Sequence, residues 1–172
     1  DRRQRQMCIR DRWNPRNDKL IKTKFTDDFE AFKKGNKKFL VSKFNLEYEE
    51  GIPTIGMITR LSESKGIPLL IQASDKLFKN KLQLIILADG SPELKKQIDE
   101  MIEKYPGRIG FYYGHDEELA HLIEAGSDMF LIPSLIEPCG LNAIYSLAYG
   151  ALPIVRDTGG LSEIVSLSLI HI

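Results

Sequence analysis

From Thr54 onward the chain alternates short apolar runs with longer stretches whose apolar positions recur every three or four residues. Thr54–Thr59, Leu82–Ala88, Ile109–Tyr113, Asp128–Ile132 and Leu152–Val155 have strand length. The first is near-continuously apolar, as expected of a strand covered on both faces. Between the strands lie helical patterns. One carries Leu69, Leu70, Ala73 and Leu77. The next carries Leu94, Ile98, Met101 and Ile102 and is ended by Pro106-Gly107, and a third runs from Asp116 to Ala125. A fourth resumes near Gly140 with Leu141, Ile144, Tyr145 and Ala148 on one stripe, and Thr158-Gly159-Gly160-Leu161 opens a last one. Ahead of all these, Thr26 is the expected N-cap of a helix from Asp27 to Phe44. Its apolar positions are Phe29, Phe32, Phe39, Leu40 and Phe44, and its lysine-rich face is expected to be solvated surface.

Strands alternating with helices predict βαβ units with right-handed crossovers, hence an α/β fold: a Rossmann-like parallel sheet with helices on both faces. A ligand is expected beyond the carboxyl ends of the strands. The two ends do not join this pattern. Residues 1–12 have no apolar period and residues 166–172 place an apolar tail where a polar continuation belongs; both are read as foreign sequence fused to a truncated frame, which resequencing across the junctions would test. Residues 13–50 form a linker and leading helix, and residues 51–165 the sheet-forming unit, incomplete at its end.

Totals narrow the function classes. At 172 residues and 42% hydrophobic content the chain can build one core. With 24 basic and 24 acidic residues there is no net field to draw nucleic acid. No apolar run approaches the roughly 20 residues that span a bilayer. Two cysteines, Cys8 and Cys139, make no disulfide framework, and no secretory or targeting signal is visible, so a reducing compartment is expected.

The chemistry gathers in the loops that follow strands. Arg60 and Lys65 flank the turn after the first strand, where a guanidinium fork and a movable ammonium suit a diphosphate whose charge grows as a bond to it breaks. After the fourth strand, Pro133 to Gly140 is a tight loop into a helix start. It sets Glu137 ahead of the amides of Gly140, Leu141 and Asn142, a grip for a hydroxyl-rich ligand. Thr158, Gly159 and Gly160 offer further amides at a helix start. Cys139 lies near a helix N-terminus and reads as a small packing residue. There is no Asp-x-Asp, Cys-x2-Cys or His-x3-His, so no metal and no other cofactor are expected, and His121 reads as structural.

The run Glu137-Pro138-Cys139-Gly140-Leu141-Asn142, with Tyr145 and Tyr149-Gly150 behind it, resembles the donor-sugar motif of bacterial and plant glycogen (starch) synthases, retaining glycosyltransferases of the GT-B fold. Many retaining GT-B enzymes have a second glutamate where Tyr145 stands; the synthases share the tyrosine. Trp13-Asn14-Pro15 with Asp18 resembles their interdomain linker, and Arg60 to Gly66 their Arg-x4-Lys-Gly turn, so the likeness runs from Trp13 to Val165. It implies the nucleotide-sugar domain of an enzyme that moves glucose from ADP-glucose to the non-reducing end of an α-1,4-glucan. Arg60 and Lys65 are then the leaving-group residues and Glu137 the residue at the donor glucose; Cys139, Gly140, Leu141, Asn142, Tyr145, Thr158, Gly159 and Gly160 line the donor. His115 stands where the synthases carry a tyrosine stacked on adenine. The implied partners are ADP-glucose or ADP, the glucan, and an N-terminal domain with a Lys-x-Gly-Gly-Leu loop; without that domain the chain is expected to be inactive. The implied place is the bacterial cytoplasm or the plastid stroma. The alternatives are a retaining GT-B transferase for a UDP- or GDP-sugar, disfavoured by Tyr145, and a nucleotide-sugar binding module without turnover.

Overall fold

The computed structural model describes residues 12–169, with side chains as far as Val165 at the C-terminal end. Residues 1–11 and 170–172, where most of the foreign-sequence reading falls, lie outside the described residues. Helix α1 spans Phe29–Lys43. Then follow β1 (Thr54–Leu61), α2 (Ile67–Leu77), β2 (Gln83–Gly90), α3 (Pro92–Lys104), β3 (Ile109–Tyr113), α4 (Glu117–Gly126), β4 (Met129–Ile132), α5 (Leu141–Ala148), β5 (Leu152–Val155) and α6 (Gly159–Leu169). Asp28, not Thr26, caps α1: its extended backbone lets its carboxylate accept from the Ala31 amide at 2.9 Å. Asp116 caps α4 in the same way, accepting from Leu119 at 2.8 Å.

All pairings are parallel, in the order β3-β2-β1-β4-β5. The chain winds outward from β1 to β3, crosses back through α4, and winds the other way through β4 and β5, so the strand order reverses between β1 and β4. In a doubly wound sheet that reversal opens a crevice at the carboxyl ends. Strand β2 shows why the sheet is covered twice. Leu84, Ile86 and Ala88 enter one buried cluster with Ile67 and Leu70 of α2 and Leu94, Ile98 and Met101 of α3. Ile85 and Leu87 enter the other, with Leu40 and Val41 of α1 and Leu119, Leu122 and Ile123 of α4.

Two expectations about faces fail. On α5 the buried positions are Ala143 and Ser146, followed by Tyr149, while Leu141 and Ile144 are 44% and 46% exposed. The small side chains let the helix lie close on β4 and β5, and the larger ones are left outside. On α1 the lysine face is not all solvated. Lys33 is buried and donates to the carbonyls of Ser127 at 2.6 Å and Tyr149 at 3.2 Å. Lys37 donates to Ile52 O and to Asp128 Oδ2, both at 2.6 Å. Long methylene stems carry these ammonium groups to carbonyl acceptors inside the fold.

Candidate functional site

The crevice is built by two connections. After β1, residues Glu63–Lys65 form one 3-10 turn closed by Gly66 in the left-handed region, φ +74. After β4, residues 133–140 lead into α5. The two are tied backbone to backbone, since the Leu135 amide donates to Ser64 O at 2.8 Å. They also touch so closely at Gly66 that a Cβ there would sit 2.1 Å from the Pro133 carbonyl oxygen. This contact sets the side chains facing each other: Lys65 Nζ donates to Glu137 Oε2 at 2.7 Å, and Ser134 Oγ donates to the same oxygen at 3.1 Å. Both charged side chains of the pair are mostly covered. The strand order thus brings together charges separated by 72 positions in sequence.

A cleft of about 390 Å³ opens over this pair. Of the residues singled out from sequence, Arg60, Lys65, His115, Glu137, Cys139, Gly140, Leu141 and Asn142 line it. Arg60 is still within β1, opposite Asp89 of β2 in register, and both reach the cleft from the strand ends. Cys139 is an exposed free thiol. The Asn142 side chain is already engaged, its Nδ2 donating to Ile58 O at 3.1 Å and fastening the start of α5 to β1. Asp89 and Ser134 are cleft residues that the sequence reading passed over. For Ser134 the available signal was its place three residues before Glu137, within the same loop.

Four of the singled-out residues do not line the cleft: Tyr145, Thr158, Gly159 and Gly160. The Gly160 amide, expected to face a ligand, donates instead to Glu137 O at 3.0 Å, and Thr158 Oγ1 donates to Leu135 O at 3.1 Å. Gly159 has φ +51, and a Cβ there would lie 2.4 Å from the Glu137 carbonyl oxygen. The start of α6 is therefore a bracket under the Glu137 loop. Tyr145 stacks on Trp13 with ring centres 4.4 Å apart.

That stack belongs to a buried polar cluster behind the crevice. Trp13 also stacks on His121 at 3.7 Å. Asp18 Oδ2 meets His121 Nδ1 at 2.7 Å and accepts from the Tyr149 hydroxyl at 2.5 Å, and Asp18 Oδ1 accepts from the Leu20 amide at 2.8 Å. Burial alone would raise the Asp18 pKa, but the hydrogen bonds from His121, Tyr149 and Leu20 outweigh it and hold the carboxyl below its ordinary range. Tyr149 is pushed up by burial and by its bond to Asp18. Glu124, fully buried with neither oxygen partnered among the described residues, is raised well above the ordinary carboxyl value by burial. Lys33 is lowered to about 8, also by burial, with Asp128 and Glu124 opposing.

Among the described residues no group of three or more His, Cys, Asp or Glu side chains is placed to hold a metal ion, and no helix is long and apolar enough to cross a membrane. Three comparisons place the chain among known proteins. A model of the family of glycosyl transferases group 1 matches residues 38–168. The glycogen synthase of Haemophilus influenzae (strain PittGG) is 45% identical over 153 residues, which is 89% of this chain and 32% of that protein. The catalytic domain of starch synthase IV from Arabidopsis thaliana, bound to ADP and acarbose, superposes with a TM-score of 0.82 at 33% identity, over 90% of this chain and 32% of that one. A C-terminal domain of a glycosyl transferase group 1 protein from Francisella tularensis, with 18% identity and a TM-score of 0.61, shares the fold. The chain spans about a third of the length of the curated relatives it matches.

Proposed function

The chain belongs to the family of glycosyl transferases group 1, and from that premise we propose that it is most of the nucleotide-sugar half of a glycogen or starch synthase. Its fold is the expected α/β one, a Rossmann-like parallel sheet of the GT-B type. The reaction is retaining transfer of glucose from ADP-glucose to the non-reducing end of an α-1,4-glucan, with ADP as leaving group. One observation carries this reading: a cation from the β1 turn and a carboxylate from the β4 loop meet at 2.7 Å over the crevice of a doubly wound sheet. A diphosphate joined to a sugar presents the complement, negative charge at one end and hydroxyls at the other.

In this proposal Arg60 and Lys65 neutralise the departing diphosphate, without a metal or other cofactor. Glu137 accepts from sugar hydroxyls and opposes the positive charge that develops at the anomeric carbon. His115 at the end of β3 packs on the base, and the amides of Gly140 to Asn142 receive sugar or phosphate oxygens. Tyr145, Thr158, Gly159 and Gly160 serve by shaping the Glu137 loop and α5. The acceptor glucan is held against the donor by a second, N-terminal domain, because transfer needs both substrates oriented together. The proposed compartment is the bacterial cytoplasm or the plastid stroma.

Calorimetric titration of the 172-residue chain with ADP-glucose, UDP-glucose and GDP-glucose tests this. We expect ADP-glucose to bind, Lys65→Ala and Arg60→Ala each to weaken it by about tenfold or more, and the chain alone to elongate no glucan. Tighter binding of UDP-glucose, or elongation at the rate of an intact synthase, would overturn the proposal.

A further inference from the structure

Lys65 faces two demands in the reading just given, which this inference rests on. It pairs with Glu137 across the cleft, yet the diphosphate of a donor needs the same ammonium. Both Lys65 Nζ and Ser134 Oγ act on Oε2 of Glu137, at 2.7 and 3.1 Å, and Oε1 has no partner among the described residues. Ser134 is 2% exposed and lies on the loop that the Leu135 amide fastens to Ser64. Its hydroxyl therefore cannot follow a ligand, whereas the lysine ammonium ends a flexible stem. Glu137 itself sits outside any helix or strand, between β4 and α5, and Lys65 and Ser134 are the partners its carboxylate has among the described residues.

We infer that Ser134 is a positioning residue: it keeps Oε2 of Glu137 in place when Lys65 turns from the carboxylate to the diphosphate, leaving Oε1 aimed at the sugar. The ion pair is then a contact that the donor exchanges for two. Lys65 gains phosphate oxygens, Glu137 gains sugar hydroxyls, and the serine bond persists through the exchange. Without that bond the freed carboxylate spreads over several rotamers, and the sugar loses its acceptor while the nucleotide keeps its site.

Calorimetry of the chain with ADP and with ADP-glucose separates these effects. Ser134→Ala is expected to leave the ADP dissociation constant within about threefold of the parent and to lower the ratio of ADP-glucose to ADP affinity by about tenfold, the loss of a hydrogen bond to a charged group. Once Glu137→Ala is present, adding Ser134→Ala should change the ratio no further, because both substitutions remove one interaction. If the parent chain binds neither nucleotide, the synthase reading falls and this inference with it. If the parent binds both and Ser134→Ala leaves the ratio unchanged, or acts additively with Glu137→Ala, the inference alone is overturned. Should alanine prevent cooperative melting, Ser134→Cys, a similar volume with a poor donor, carries the same comparison.

Discussion

Gly66 shows how much a single position decides. A methyl group there would have to part the β1 turn from the β4 loop, because its φ is +74 and the Pro133 carbonyl lies in the way. Gly66→Ala should cost about 1–3 kcal/mol and abolish measurable ADP-glucose binding. Gly107→Ala is the control: its φ is +73 but nothing lies within 4 Å, so it should cost only about 1 kcal/mol and leave binding intact. Urea melts and calorimetry on the two variants check both halves. At Glu124 the ionised form is the one that burial disfavours, so its folded pKa stands above the ordinary 4.5. The folded state then holds the proton longer than the unfolded chain, and the penalty grows as pH rises above 4.5. Glu124→Gln should accordingly raise the melting temperature at pH 7, by less at pH 5.5, and not at all at pH 4. Lys33, lowered to about 8 by burial with Glu124 opposing, bears on this comparison only toward the top of that window. Melts of parent and variant at the three values test the sign.

At the scale of elements, the segment from Trp13 to Phe25 is fixed to α4 and α5 through Asp18, His121 and Tyr149. Asp18→Ala strips a buried charged group from two side-chain partners and the Leu20 amide and should cost about 3–5 kcal/mol. Because Trp13 is the one tryptophan of the chain and stacks on His121 and Tyr145, its fluorescence should change in the same variant. Little of this was legible beforehand. The sequence showed Trp13-Asn14-Pro15 and Asp18 as an extended entry, and the partners of Asp18 lie 103 and 131 positions away, beyond any periodicity. By contrast β3 and β5 were legible to the residue, being apolar runs ended by Gly114 and by Arg156. The α5 stripe misled because Leu141-Asn142-Ala143-Ile144 has apolar residues on two faces, and only the closeness of β4 and β5 decides that the small ones go inside. Lys65 and Glu137 were singled out in the sequence, by spacing and by likeness. That they touch, and that Ser134 completes the contact, follows from the strand order, which no local pattern carries.

On the whole molecule, the outer side of α5 and the edge strand β5 leave Leu141, Ile144, Leu147, Leu152 and Ile154 exposed. Apolar side chains gathered on a helix and on a sheet edge invite association. The chain should bind a hydrophobic dye and sediment heavier as its concentration rises; Ile144→Lys with Leu152→Lys should reduce both while leaving ADP affinity unchanged. The strand order has a further consequence, for synthesis rather than for chemistry. Ile55 pairs with Leu84 on one side and with Met129 on the other. As a nascent chain leaves the ribosome, the first strand can join its second neighbour early, but its other flank stays open until the fourth strand has emerged. High contact order of this kind slows folding and lengthens the exposure of a bare apolar edge. A ribosome stalled after Gly126 should therefore hold a protease-sensitive half-sheet, and one stalled after α6 a protected core.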